Sequence, residues 1–271
     1  MTFMPNIAAY SDLHIEHSSL RLDTASADVV VLAGDIFAMG PAYSDEPSLM
    51  HWIDQNIPDR PVVFVPGNHD LEDSYWEKQM KVWKEHAKNL GGRIHVLWNE
   101  SVDIDGVRFL GTPLFTNFAS TGHPEVVKVQ AKRIPDFNRI FNTDGHPITP
   151  DLYVDWHTAA RNFLTEELKK DTDIPKVVVT HFAPSLKLRN PGHSAQLLDA
   201  YWLNDCEDLV GLADVWISGH SHYCCDITLD NGGRMVSNAR GVSKIYGLSA
   251  DSNFNTEFRL QLNGAHRKMK M

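Results

Sequence analysis

Asp12 with His14, Asp35, Asn68 with His69 and Asp70, His181, and His220 with His222 are the residues of this chain best suited to holding cations. Each group follows an apolar run and a break. Asp12 and His14, like His220 and His222, are two apart, so both side chains of each pair leave an extended backbone on one face. Apart from His69 and Asp70, the set holds two carboxylates, one amide and four imidazoles, an oxygen and nitrogen donor set with no thiolate. Such donors suit Mn, Fe, Zn or Mg and not copper(I) or an iron–sulfur cluster. Seven donors exceed the needs of one ion of low coordination number and fit two ions sharing a bridging carboxylate. Taken singly, every group has an ordinary reading: Asp-x-His is common in turns, Asn68 or Asp70 suits a helix N-cap, and His17 reads as an exposed neighbour. Together they demand strands whose C-terminal ends share one rim, where open α/β sheets bind ligands.

The elements that must supply this rim are legible as buried apolar runs. Strands are expected over Asn6–Tyr10, Ala27–Ala33, Pro61–Val65, Val177–Thr180 and Ala213–Ser218, each ending at one of the groups. Two more, Ile94–Trp98 and Val107–Gly111, are expected to meet through a hairpin turn at residues 103–106. Apolar spacing predicts helices over Pro47–Ile57, Leu71–Leu90, Pro150–Lys170 and Ala195–Leu209. Asp230-Asn231-Gly232-Gly233 joins Tyr223–Leu229 to Gly233–Ser237 as a hairpin, and Asn255–Leu262 reads as a last strand. Strands alternating with helices give the α/β class. Residues 112–150 are irregular, either a substrate-shaping cover or a surface excursion.

The 271 residues suit one domain over 1–263 with a short basic tail, 264–271. The net charge is -10 and no Lys/Arg run tracks a phosphate backbone, which argues against nucleic acid and anionic membranes as partners. No apolar run is long enough to span a membrane. The first ten residues lack the charge and apolar stretch of a secretory signal. Cys206, Cys224 and Cys225 are an odd number without metal-site spacing, and read as reduced core thiols of a cytoplasmic protein. Oligomeric state is left open.

The series Asp12-x-His14, Gly34-Asp35, Gly67-Asn68-His69-Asp70, His181 and Gly219-His220-x-His222 resembles the calcineurin-like metallophosphoesterase family, in the family's order. The resemblance implies a four-layer α-β-β-α sandwich, two mixed β-sheets flanked by helices, with a dinuclear metal site at the strand C-terminal edge. It implies that Asp12, His14 and His222 hold the first ion, that Asp35 bridges, and that Asn68, His181 and His220 hold the second. The cofactor expected is a pair of divalent ions among Mn, Fe, Zn and Mg, with Mn or Fe favoured. His69 resembles the catalytic histidine and Asp70 its orienting partner. The expected reaction is hydrolysis of a small phosphorylated substrate by a metal-bridging hydroxide, with His69 as general acid and Asp70 holding its tautomer.

Departures narrow the resemblance. Gly34-Asp35 runs on into Ile36-Phe37-Ala38, unlike protein Ser/Thr phosphatases, and no Tyr occurs at 36–40 as in purple acid phosphatases. Monoesters and diesters, including cyclic nucleotides, stay open as substrates. A non-catalytic scaffold is the reading from another class, and His69 argues against it. Arg240 could contact substrate phosphate or serve a structural ion pair.

Overall fold

The computed structural model describes residues 4–38, 48–241 and 253–262. A loop is expected over residues 40–48, which are punctuated by Gly, Pro and Ser; all of it but Ser48 lies outside the described residues, and so do Pro47, where a helix is expected to start, and the tail at 264–271. In the first half, β1 (Ile7–Tyr10), β2 (Val29–Ala33), α1 (Ser48–Asn56), β3 (Val62–Val65), β4 (Ser74–Tyr75), α2 (Trp76–Asn89) and β5 (Ile94–Val96) follow in order. Next come β6 (Glu100–Ile104), β7 (Val107–Gly111), α3 (Pro124–Ala131), α4 (Asp136–Arg139), β8 (Ile140–Phe141) and α5 (Pro150–Lys169). The chain continues through β9 (Lys176–Val179), α6 (Asp199–Trp202), α7 (Glu207–Val210), β10 (Val215–Ile217), β11 (Cys225–Thr228) and β12 (Arg234–Ser237).

Two sheets form the centre, ordered β1-β2-β3-β5 and β11-β12-β10-β9-β7-β6. Val29, Val31, Val63 and Val65 pack between the sheets against the side of Val177, Val179, Val215 and Ile217. The alternate residues Val30, Leu32 and Phe64 turn outward into the core that holds Leu49, Ile53 and Trp83 of α1 and α2. Val178 and Trp216 do the same beneath Tyr153 and Leu164 of α5. Period-2 alternation therefore buries both faces of every central strand, which is why these runs are apolar throughout. The result is the α-β-β-α sandwich. Among the described residues the smaller sheet, expected to be mixed, is parallel in all its strand pairs and is joined by an antiparallel bridge, Ile7 to Leu260.

Several expected elements differ. The helix foreseen from Leu71 starts at Trp76, because Asp73 turns with φ +58° and Ser74-Tyr75 pairs with Ile140-Phe141. The hairpin at 103–106 joins β7 to an unforeseen strand, β6, while β5 goes to the other sheet; Asp105 and Gly106, both with positive φ, form the turn. The single helix expected over Ala195–Leu209 is two short ones. Leu203 to Cys206 is drawn out between them: Asn204 N donates to Ala183 O, and its Nδ2 to Phe115 O. The last strand reduces to the bridge at Leu260, since the carbonyls of Asn255 and Thr256 are taken by Asn238 Nδ2 and Tyr10 Oη. Cys206 is buried, but Cys224 and Cys225 are only half-buried, and none is in a disulfide.

Helix α5 matches its expected start closely. Thr149 Oγ1 accepts from Leu152 N and Pro150 follows at the first turn. Its His157 is 2% exposed, and burial pushes the imidazole down to about 4, with the Arg161 charge adding to the effect. The folded value lies below the unfolded one of 6.5, so the stabilisation is complete above pH 6.5 and is lost as pH falls toward 4. Denaturant melts across that window should show a loss on the order of 3 kcal/mol for the parent. His157→Phe should flatten that slope by the same amount.

Candidate metal centre

Every residue of the expected set follows a parallel strand at the same edge of the sandwich. Asp12 and His14 come after β1, Asp35 after β2, Asn68 and His69 after β3, His181 after β9, and His220 and His222 after β10. The backbone there is not relaxed. Asp12, His14, Asp35, His220 and His222 all have φ between 44° and 66°, a region L-residues avoid. Such strain persists where the surroundings over-determine it, and it clusters at functional sites. Two glycines let the loops crowd together. A Cβ on Gly34 would meet His181 Nδ1 at 2.3 Å, and one on Gly219 would meet Asp12 Oδ2 at 2.5 Å.

The side chains gather in two clusters. Asp12, His14 and His222 bring their ligand atoms within 4.8 Å of one another, and Asp35, His181 and His220 do the same. In the first, His222 Nε2 lies 3.4 Å from Asp12 Oδ1. In the second, His181 Nε2 lies 3.1 Å from Asp35 Oδ2, 3.2 Å from Asn68 Oδ1 and 3.1 Å from His220 Nδ1. Asp35 Oδ2 also lies 4.0 Å from His14 Nε2, so one carboxylate faces both clusters.

The donor chemistry fits divalent cations. His14 Nε2 and His220 Nε2 are buried without a hydrogen-bond partner, an arrangement that costs free energy until something accepts their electron pairs or protons. The outer nitrogens are held by protein: His14 Nδ1 by Glu16 at 3.0 Å and His181 Nδ1 by the Ala33 carbonyl at 2.9 Å. Those bonds fix ring orientation and leave Nε2 facing inward. Burial alone would raise the Asp35 carboxyl, but the His181 and His69 charges hold it well below the usual carboxylate range. Conversely, burial would lower His181, and Asp35 lifts it to about 9. A cation entering here therefore displaces protons.

His69 stands at the rim, 34% exposed, with its ring edge-on to His14 at 5.0 Å. Asp70, expected to hold it, does something else. The Asp70 carboxylate accepts from the backbone N–H groups of Asp35, Ile36, Phe37 and Gly67, and so ties the β2 loop to the β3 loop. It does not cap a helix either. The carboxylate beside His69 is Glu72: Oε1 lies 3.4 Å from His69 Nδ1, while Oε2 is paired with Arg139. Burial would depress the His69 imidazole, but Asp35 and Glu72 outweigh it and raise it to about 10.

A second group was not foreseen. Asp136 of α4 accepts Asn68 Nδ2 at 3.1 Å, and its other oxygen accepts the hydroxyls of Tyr153 at 2.7 Å and Tyr201 at 2.5 Å. The amide is thereby oriented with its oxygen toward His181. The excursion at 112–150 thus reaches the centre by way of Asp136. Arg240 is structural, donating to the carbonyls of Leu13 and Ser18. His17 stays half-exposed beside Glu16.

Among known proteins, the family model for calcineurin-like phosphoesterases matches residues 5–224. A phosphopantetheinyl hydrolase from Mycobacterium tuberculosis has a similar solved structure, with a TM-score of 0.61 at 18% identity, covering 89% of this chain and 91% of that one. A dimetal phosphatase from Danio rerio aligns with a TM-score of 0.42 at 14% identity, over 86% of each chain. The search of curated sequences returns no match.

Proposed function

The chain belongs to the calcineurin-like phosphoesterase family and is a metal-dependent phosphoesterase; we propose that its centre takes two divalent ions and hydrolyses a small phosphate ester with His69 as general acid. In this reading Asp12, His14 and His222 hold one ion, and Asn68, His181 and His220 the other. Asp35 is shared between them. The observation that carries it is the single Asp35 carboxylate facing both imidazole clusters, 3.1 Å from His181 Nε2 and 4.0 Å from His14 Nε2, the latter buried without a hydrogen-bond partner. Bound there, the ions would neutralise the phosphoryl oxygens and lower the pKa of a water molecule.

The chain's own residues do the rest. His69 Nδ1 faces Glu72, which leaves Nε2 to carry the mobile proton. As water adds to phosphorus and the bond to the leaving oxygen breaks, Nε2 passes that proton to the departing alkoxide. Glu72 holds the ring and favours its protonated form. Asp70 keeps the β2 and β3 loops in register, so Asp35 and His69 stay adjacent; Asp35 Oδ1 accepts from His69 N at 2.9 Å. No Ser or Cys nucleophile is needed.

The test is to strip the protein with chelator, add back Mn, and assay p-nitrophenyl phosphate beside bis-p-nitrophenyl phosphate. Activity should vanish on stripping and return as metal content approaches two ions per chain. The ratio of the two rates assigns the ester class. Full activity in metal-free protein would refute the reading.

A further inference from the structure

A cavity of about 310 Å³ opens beside the proposed ligands, with His220, Ser221 and His222 along one side. Anything bound there lies against both clusters. Trp202 of α6 forms one wall and the loop at 189–196 another. We propose that this cavity receives the leaving group of the substrate, and that Trp202 selects an alcohol bearing a planar aromatic ring, a nucleoside in preference to a bare sugar. The proposal rests on the phosphoesterase reading and names the substrate class for that same site.

Three features carry it. First, Trp202 is 38% exposed and lines the cavity beside His220, so an aromatic surface faces the space next to the proposed ligands. Second, the ring is already fixed. Tyr201 meets it edge-on at 4.5 Å, and His220 backs it at 5.0 Å with planes 37° apart. The loop wall is fixed as well: Asp199 accepts Arg189 Nε at 2.7 Å and Gln196 N at 3.0 Å. A preorganised slot loses little conformational freedom when a flat ring enters. Third, the volume stands near the lower end of small-molecule pockets, which span about 300–1,000 Å³. One ring system with its sugar fits that scale and a polymer does not. Ser194, Gln196 and the rest of the Arg189 guanidinium line the same space and can bond the polar edge of a heteroaromatic ring.

Adenosine 5′-monophosphate and ribose 5-phosphate release the same kind of primary alkoxide, so their rates compare recognition and not leaving-group chemistry. Where the enzyme proves to be a diesterase, their methyl diesters make the same comparison. The metal-loaded protein should prefer the nucleotide by roughly tenfold or more in kcat/KM, the scale of one base–aromatic stack. Trp202→Ala should bring the ratio near one, and Trp202→Phe should keep most of it. Independently of any variant, adenosine should inhibit turnover of the p-nitrophenyl ester by the parent protein competitively, while ribose should not. A ratio near one in the parent, or a ratio untouched by Trp202→Ala, overturns the proposal while leaving the phosphoesterase reading intact. Absence of metal-restored turnover of every ester removes both.

Discussion

Asp35→Asn should cost the protein both of its ions at once. The carboxylate faces His181 at 3.1 Å and His14 at 4.0 Å, so weakening it weakens two coordination sets that otherwise share nothing. Even partners that touch only a ligand typically cost 10–100-fold in metal affinity, and a shared ligand should cost about a hundredfold or more. Hydrolysis should fall about 10³-fold or more, because charge neutralisation and water activation fail together. Metal analysis after gel filtration reads the result directly. Loss of one ion with retention of the other would show that Asp35 serves a single cluster. Circular dichroism should remain that of the parent, since Asn keeps the volume and can still accept from His69 N.

His69→Ala should keep both ions and lose turnover. A positioned general acid contributes about 10²–10⁴-fold, and the loss depends on how badly the leaving oxygen needs a proton. Alkyl phosphates release a basic alkoxide and should lose the full amount. p-Nitrophenyl esters release a weak base and should lose much less. The diagnostic quantity is therefore the ratio of the two losses. Equal losses would move His69 from proton donor to phosphate binder. Its raised pKa, about 10, keeps the proton in place through neutral pH, and bound cations would bring that value down by screening Asp35.

The sequence made the central strands and the residues at their ends visible for one physical reason. Strands buried on both faces must be apolar throughout, so polar residues at their ends stand out against them. Asp12, Asp35 and His220 are conspicuous on those grounds. Glu72, Asp136, Tyr153 and Tyr201 are not. Asp136 meets Asn68 across 68 positions, and nothing local to α4 marks it. The pairing of Asp70 with His69 is what the resemblance implies, but adjacency along a chain is not adjacency of side chains. Asp70 instead accepts from backbone N–H groups 33 to 35 positions away as well as from Gly67. The helix expected over Ala195–Leu209 failed for a related reason. Its apolar spacing is real, but Asn204 and Cys206 bond to backbone beyond β9, and that tertiary demand overrides local periodicity.

The bond from Asn68 to Asp136 has an evolutionary corollary. The amide belongs to a motif beside β3, yet its orientation is dictated by a carboxylate on the excursion and by phenols from two separate helices. Any lineage that shortens or swaps that excursion must also re-aim the Asn68 oxygen proposed to hold an ion. Grafting residues 112–150 from one homologue onto another should therefore transfer a preference among cations along with whatever it does to the substrate.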